Sequence, residues 1–461
     1  MLKISCPLSR PAERKYIFHV LFTEFLGINY EVEFEQRNEV EITLPEGNEH
    51  RLVLADVLFS KREEEWLKPE SLPNRPLAKL EVTGQGSLPM IYGLRDSSVQ
   101  SMSLQIDPPS IQCSLDLFGS CFFMLTRYEE LVCQERDGHD RFPSEQSLAY
   151  QEGFLDYPIV NRYTELLWSM LNSLWPGLKR KRRESRKVIS HDVDYPFFTF
   201  RRSNFSIAKE SLGDAIKRRQ LESAMRKARM IGSGVTTLER DPFNTFDWMM
   251  ELSERAGIRS SFYFITEQTE ADIDGNYSIN DPEVHSLMVR IHERGHEIGL
   301  HPSYRTYLSP QQIKREFRIL CHEAELAGIR QEQWGGRQHF LRWKAPDTWQ
   351  GWEEAGLQYD STLGYSDRPG FRCGTCYEYP VFNLRTGMAL KLRERPLVVM
   401  ELTVLDAMCS GSDEEQAFAK ISHYYRECVK YQGDFTLLWH NSRLVRSLDR
   451  KVFRRCIEEL Q

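Results

Sequence analysis

From residue 187 to the C-terminus, short β-branched or aromatic runs alternate with helical stretches. This alternation confines that part of the chain to a parallel α/β architecture. The candidate strands are residues 188–191, 260–266, 297–301, 341–345, 359–361, 397–404 and 435–440. Seven such strands with helices between them predict an incomplete (β/α)7-type barrel over 188–461. Two of the helices carry readable punctuation. Asp281 precedes Pro282, and Val284, Leu287, Met288 and Ile291 form one apolar face before Gly295. Ser309 precedes Pro310, and Gln312 is placed to complete a capping box. Its apolar face is Ile313, Phe317, Leu320, Cys321 and Ala324, ahead of Gly328. The Arg- and Lys-rich stretch 197–240 interrupts the alternation. It reads as a solvated helical insertion (about 200–240) that could cover a barrel mouth.

The first 178 residues read as a separate α+β accessory domain. Residues 16–30 and 158–174 have helical apolar spacing, 116–131 is a strongly apolar helix, and 30–34 and 39–44 alternate as strands. His139 falls in a polar loop, 136–143. Residues 179–187 form a basic linker, read as solvated, with contact to an anionic lipid or glycan carrier as the alternative.

The chain has 461 residues and is 41% hydrophobic, enough for two domains with substantial cores. A net charge of -7 argues against nucleic acid as a general partner. The N-terminus lacks the apolar run of a signal peptide, and no uninterrupted apolar stretch of about 18 residues occurs, so a cytoplasmic protein without a membrane span is expected. Ten scattered cysteines fit a reducing compartment, and Cys373 with Cys376 reads as a pair of loop thiols.

Residue types suited to hydrolysis gather at three predicted strand ends. Asp192 and Asp194 follow the first strand, His301 ends the third, and His440 ends the last. A metal-assisted hydrolase needs two or three protein ligands, a base for water and an acid for the leaving group. Asp192 and Asp194 are expected to point to different sides of the strand and to take different parts. One arrangement gives Asp194 and His301 to a metal, Asp192 to proton abstraction and His440 to proton donation. Arg337, Arg342, Arg368 and Arg372 form an aromatic-rich cationic cluster suited to anionic groups on a sugar or to orienting Asp192. Trp439 could stack on a sugar ring, although tryptophan is more often packing.

In order, Ser190-His191-Asp192-Val193-Asp194, Gly295-His296-Glu297-Ile298-Gly299 leading into His301-Pro302-Ser303-Tyr304-Arg305, Arg342-Trp343-Lys344-Ala345-Pro346, Tyr359-Asp360-Ser361-Thr362 and Leu438-Trp439-His440 resemble the five motifs of the polysaccharide deacetylase family (carbohydrate esterase family four, with a nodulation-type deacetylase domain). Segments 241–248, 337–342 and 365–374, with others in the N-terminal half, resemble a bacterial subgroup with an added N-terminal domain, often associated with surface polysaccharide. The resemblance implies a divalent metal, zinc above all and otherwise cobalt, nickel or manganese, held by Asp194 and His301. It implies Asp192 as base, His440 as acid, Arg342 and Asp360 as their positioning groups, and Arg337, Arg368, Arg372 and Trp439 along the substrate groove. The pattern departs at Arg305, which stands where the family has its second metal-binding histidine and cannot ligate a metal. His191, His296, His339 and Glu401 are the candidates to complete the site; two protein ligands, or weakened metal binding, are the other possibilities.

The implied activity is removal of an acetyl group from an N- or O-acetylated carbohydrate in surface or exopolysaccharide synthesis. The substrate would be a nucleotide-linked, lipid-linked or small glycosidic sugar. The alternatives are a non-catalytic glycan-binding or assembly protein on a degenerate barrel, and an amidohydrolase acting on a non-sugar substrate.

Overall fold

A computed structural model describes the chain except for residues 46–48, 84–85, 95–100, 219, 233–234, 407–412 and 461. The chain divides into two compact units. One comprises Met1–Glu184 with Lys344–Pro346 and Phe371–Arg393; the other comprises Ser185–Trp343, Asp347–Gly370 and Glu394–Gln461. Two short segments of the expected C-terminal domain therefore group with the N-terminal unit.

The first unit carries a five-stranded sheet in the order Tyr30–Glu35, Leu2–Pro7, Glu39–Thr43, Arg51–Ala55 and Ser110–Cys113. Tyr30–Glu35 shows the alternating burial its sequence predicts. Two helix expectations need correction. The helix placed at 16–30 starts at Pro11, whose fixed φ suits a first helical position, and continues as a wider turn over His19–Leu26 to a left-handed Gly27. The helix placed at 116–131 is two. Leu117–Leu125 is capped by Asp116, which accepts the Gly119 N–H; Arg127 then turns left-handed (φ 54°) and Tyr128–Val132 follows.

The second unit is built on parallel strands in the order Tyr359–Asp360, Gly335–Gly336, Glu297–Leu300, Ser261–Phe264, Arg186–Val193, Asp434–Leu438 and Val399–Met400. Each strand neighbours its sequence successor, and the last neighbours the first; the fifth and sixth are not adjacent. Every residue of Ser261–Phe264, Glu297–Leu300 and Asp434–Leu438 is buried, as strands covered on both faces require.

The fourth strand is not at 341–345, which follows a short turn, but at Gly335–Gly336. A Cβ on Gly336 would lie 1.8 Å from the Leu300 carbonyl oxygen, and one on Gly335 would lie 2.3 Å from the Tyr359 ring. Backbone contact this close selects glycine, which no strand propensity flags. The sixth strand is also shorter than 397–404: it stops at Met400, and Glu401–Leu405 is helical.

Pro282–Glu293 and Pro310–Leu326 form as the punctuation suggests, with left-handed Gly295 and Gly328 beyond their ends. Ser309 accepts the Gln312 N–H, but the Gln312 side chain turns to Glu267 and Glu316, so the reciprocal half of the box is not made. Asp281 caps the Ser278 N–H in place of a helix N–H. The insertion is a pair of helices, Asn204–Ile216 and Leu221–Ala228, held by Phe198, Ile207, Met230, Phe243 and Val445.

Candidate metal and catalytic site

The side chains of interest lie at the carboxyl ends of the parallel strands, where the backbone leaves the sheet and side chains can converge. Asp192 is the penultimate residue of Arg186–Val193, and Asp194 follows its end. His301 follows Glu297–Leu300 directly, its N–H bonded to the Phe264 carbonyl at 2.8 Å. His440 lies two residues beyond Asp434–Leu438.

Asp194, His301 and His339 bring one potential ligand atom each to within 4.8 Å of one another. His301 Nε2 is 3.2 Å from Asp194 Oδ1, and His339 Nε2 is 3.6 Å from the same oxygen. Both imidazoles are oriented from behind. His301 Nδ1–H donates to the Arg337 carbonyl at 2.5 Å, and His339 Nδ1–H donates to Asp274 at 2.9 Å. These bonds leave the two Nε2 lone pairs facing the carboxylate, the tautomer metal ligation requires. Asp194 Oδ1 is buried without a hydrogen-bond partner, a costly state that a cation would relieve. Two imidazoles and a carboxylate suit zinc, and also cobalt, nickel or manganese. Burial pushes the Asp194 carboxyl up, but positive charge at His339, His301 and His440, carried as protons where no cation is bound, outweighs it and holds the carboxyl far below the usual range.

Of the four candidates for the missing ligand, His339 alone is in this cluster. His191 Nδ1–H bonds the Trp439 carbonyl at 2.8 Å, and the ring packs on Phe262. His296 Nδ1 accepts the Ser260 N–H. Glu401 serves His440. Arg305 is exposed and pairs with Glu270.

Asp192 and Asp194 do not point apart. Residues two apart on a strand share a face, and His301 Nε2 is 3.8 Å from Asp192 Oδ2 as well as 3.2 Å from Asp194. Arg337, expected along a substrate groove, is fully buried and bonds Asp192 Oδ1 at 2.8 Å, with Ser190 and Ser361 holding the rest of its fork. Arg342, expected to position Asp192, instead donates to the Tyr304 carbonyl at 2.8 Å and lies over the Tyr304 and Tyr307 rings.

His440 Nδ1–H donates to Glu401 at 2.6 Å, leaving Nε2 3.7 Å from Asp194 Oδ2. Burial lowers the affinity of this imidazole for a proton, but the Glu401 carboxylate more than restores it, and its pKa rises to about 9. Asp360, expected to position His440, bonds Thr362 in its own turn, and burial pushes its carboxyl to about 7.

Two substrate-groove expectations sit elsewhere. Arg372 belongs to the first unit and forks onto Glu130, itself held at about 2: burial raises it, and the Arg372 and Arg127 guanidiniums bring it down. Trp439 is wholly buried against Phe453, so it is packing. Arg368 is half-buried in the loop after Tyr359–Asp360. Cys373 and Cys376 are buried residues of the first unit.

Asp274 escapes sequence reasoning. It is fully buried and accepts N–H bonds from Thr269, Glu270 and Tyr304 besides holding His339. Its neighbour Gly275 (φ 76°) lies so close to Asp194 that a Cβ there would be 2.2 Å from the Asp194 carbonyl oxygen. An Asp-Gly pair in a polar loop was the one available signal, and it reads equally well as a turn.

A family of unknown function, DUF7033, matches residues 2–176. No curated protein matches the chain. Among solved structures, a polysaccharide deacetylase of Mycobacterium smegmatis is 16% identical with a TM-score of 0.38, covering 61% of this chain and 85% of its own. Puue allantoinase is 13% identical with a TM-score of 0.35, covering 62% and 85%. A polysaccharide deacetylase of Pseudomonas aeruginosa PAO1 is 16% identical with a TM-score of 0.31, covering 51% and 70%.

Proposed function

We propose that this site belongs to a metal-assisted hydrolase that removes an acetyl group from an N- or O-acetylated carbohydrate, in the making of a surface polysaccharide. The observation that carries the reading is the convergence of three differently prepared groups: a carboxylate clamped by a buried guanidinium, a carboxylate facing two oriented imidazoles, and an imidazole clamped by a buried carboxylate. The reading takes the parallel sheet as a (β/α)7 barrel open between its fifth and sixth strands.

Asp194, His301 and His339 would hold the cation. A divalent metal there supplies Lewis acidity to an acyl carbonyl and lowers the pKa of a water. Asp192 takes the proton from the attacking water. Arg337 holds that carboxylate in place, at the cost of one of its two oxygens. His440 is an imidazolium near neutral pH because Glu401 faces its Nδ1, so its Nε2–H can pass to the leaving amine or alkoxide. Water and the acetylated sugar become acetate and the free amine or alcohol. The sugar specificity and the link to polysaccharide synthesis rest on the motif order, not on the site geometry.

The test is acetate release from N-acetylhexosamine derivatives by protein purified without chelators, beside Asp192→Asn and His440→Gln. Release that falls by about a hundred- to ten-thousand-fold in each variant, with metal retained, supports the assignment. Cleavage of a cyclic amide without acetate release would replace the sugar substrate while keeping the site. No bound metal after addition of zinc, cobalt, nickel or manganese would overturn the hydrolase.

A further inference from the structure

The helical insertion carries an outward apolar face that hydrolysis does not use. Of the fourteen large hydrophobic side chains exposed among the described residues, six fall within 205–231: Phe205, Leu212, Ile216, Leu221, Met225 and Ile231. They are not scattered. Phe205, Leu212 and Ile216 are spaced seven and four apart on Asn204–Ile216, and Leu221 and Met225 are four apart on Leu221–Ala228. Each helix thus presents one exposed apolar stripe. The opposite faces are already used, Ile207, Ser211 and Asp214 on one helix and Ser223, Ala224 and Lys227 on the other. An exposed apolar face of this kind marks an interaction surface.

Charge identifies the occupant. Residues 201–231 hold nine Lys and Arg against three Asp and Glu, a net charge of +6 in a chain whose total is -7. All three acids are paired at the helices' inner and lateral faces. Glu210 and Asp214 meet Lys227 at 2.8 and 2.9 Å, and Glu222 meets Arg226 at 2.9 Å. Lys209, Lys217 and Arg229 remain exposed beside the apolar stripes. A second copy of this face would bring like charges together, and nucleic acid would leave the apolar stripes uncovered. A sheet of anionic headgroups over acyl chains satisfies both features at once.

We propose that the helix pair 204–231 docks this protein, without crossing, on an anionic lipid surface. Its position suits the site. The insertion departs at Tyr195, next to Asp194, and its base is tied to the loop after His440: Asn441 Nδ2 donates to the Tyr195 carbonyl at 3.0 Å, and Ser447 N–H donates to Glu222 at 2.9 Å. The insertion is thus attached beside the strand ends that carry Asp194 and His440. The corollary, that the substrate is a lipid-linked sugar presented at that surface, rests on the hydrolase reading; the docking itself does not.

Flotation of the full chain with vesicles of phosphatidylcholine, with and without phosphatidylglycerol, tests the docking. The protein is expected to float only with the anionic vesicles, less so at high salt. Each charge removed in the set Lys209→Gln, Lys217→Gln and Arg229→Gln should weaken binding about fivefold. The combined Phe205→Ser, Leu212→Ser, Ile216→Ser, Leu221→Ser and Met225→Ser variant should not float. Both sets change exposed side chains, so melting temperature and metal content should match the parent and separate lost docking from lost folding. Failure of the parent to float with anionic vesicles, or flotation that survives both sets, overturns the proposal. A parent dimer that dissolves in the serine variant, without vesicle binding, overturns it in favour of self-association. Loss of acetate release with docking intact would indict the hydrolase reading alone.

Discussion

His301, His339 and His440 at the strand ends, and His191 within the sheet, are all anchored through Nδ1, yet they are prepared for opposite work. In each case an oxygen accepts the Nδ1–H: the Arg337 carbonyl, Asp274, Glu401 and the Trp439 carbonyl respectively. The difference is what the far nitrogen meets. The first three direct Nε2 at Asp194, between 3.2 and 3.7 Å away. His191 Nε2 is buried without a partner, its ring against Phe262 and Phe453. An anchored imidazole becomes a ligand or an acid only when a charge waits on its other side. Otherwise burial dominates, and it drives the His191 pKa down to about 3.

The sharpest way to break this contrast is to remove the cluster one residue at a time. Asp194→Ala, His301→Ala and His339→Ala should each abolish stoichiometric metal, read by mass spectrometry on the purified protein, and take hydrolysis with it. Full occupancy in His339→Ala would return the third ligand to an unidentified residue. The next effect in size is the anchor behind a ligand. Asp274→Asn keeps the shape but weakens the hold on the Nδ1–H, and should lower metal affinity about ten- to a hundredfold. Titration with a competing chelator measures it, and an unchanged affinity would reduce Asp274 to a loop tie.

This contrast also explains what could be read from sequence. Asp194 and His301 are visible because each follows an apolar run, and strand ends can be found by composition. His339 follows a strand of two glycines that exists through close contact with Leu300 and Tyr359, so its strand-end position is hidden. The chain after it folds through Phe340 and Leu341, both left-handed at φ 61° and 54°, a conformation rare for such residues. The motif resemblance assigns Arg342 to Asp192, whereas Arg337, directly after the strand Gly335–Gly336, occupies the place beside that carboxylate. Likewise Glu401 looked like part of a long strand over 397–404, whereas it begins a helix and its carboxylate turns to His440. Motif spacing locates residues along the chain; which of two arginines or two carboxylates reaches across the sheet is set by register and loop path.

A smaller effect tests the acid. Glu401→Gln removes the charge that offsets burial at His440. The imidazolium should then release its proton at lower pH, and the alkaline limb of kcat should move down from about 9. A limb that stays in place would assign it to another group.

The smallest effect belongs to His191 and has the opposite sign in pH. Its pKa falls on folding from 6.5 to about 3, with burial the main cause. Between those values the unfolded chain binds a proton that the folded chain refuses, so acidification favours unfolding and stability is lost as pH falls from 6.5 toward 3. His191→Gln should keep metal and activity, because the ring is not in the cluster, and should remove one proton from the pH slope of unfolding in that window. Denaturant unfolding at a series of pH values reads that slope directly. If the slope is unchanged while metal is lost, His191 faces the site after all, and the distinction between anchored ligands and anchored core histidines fails.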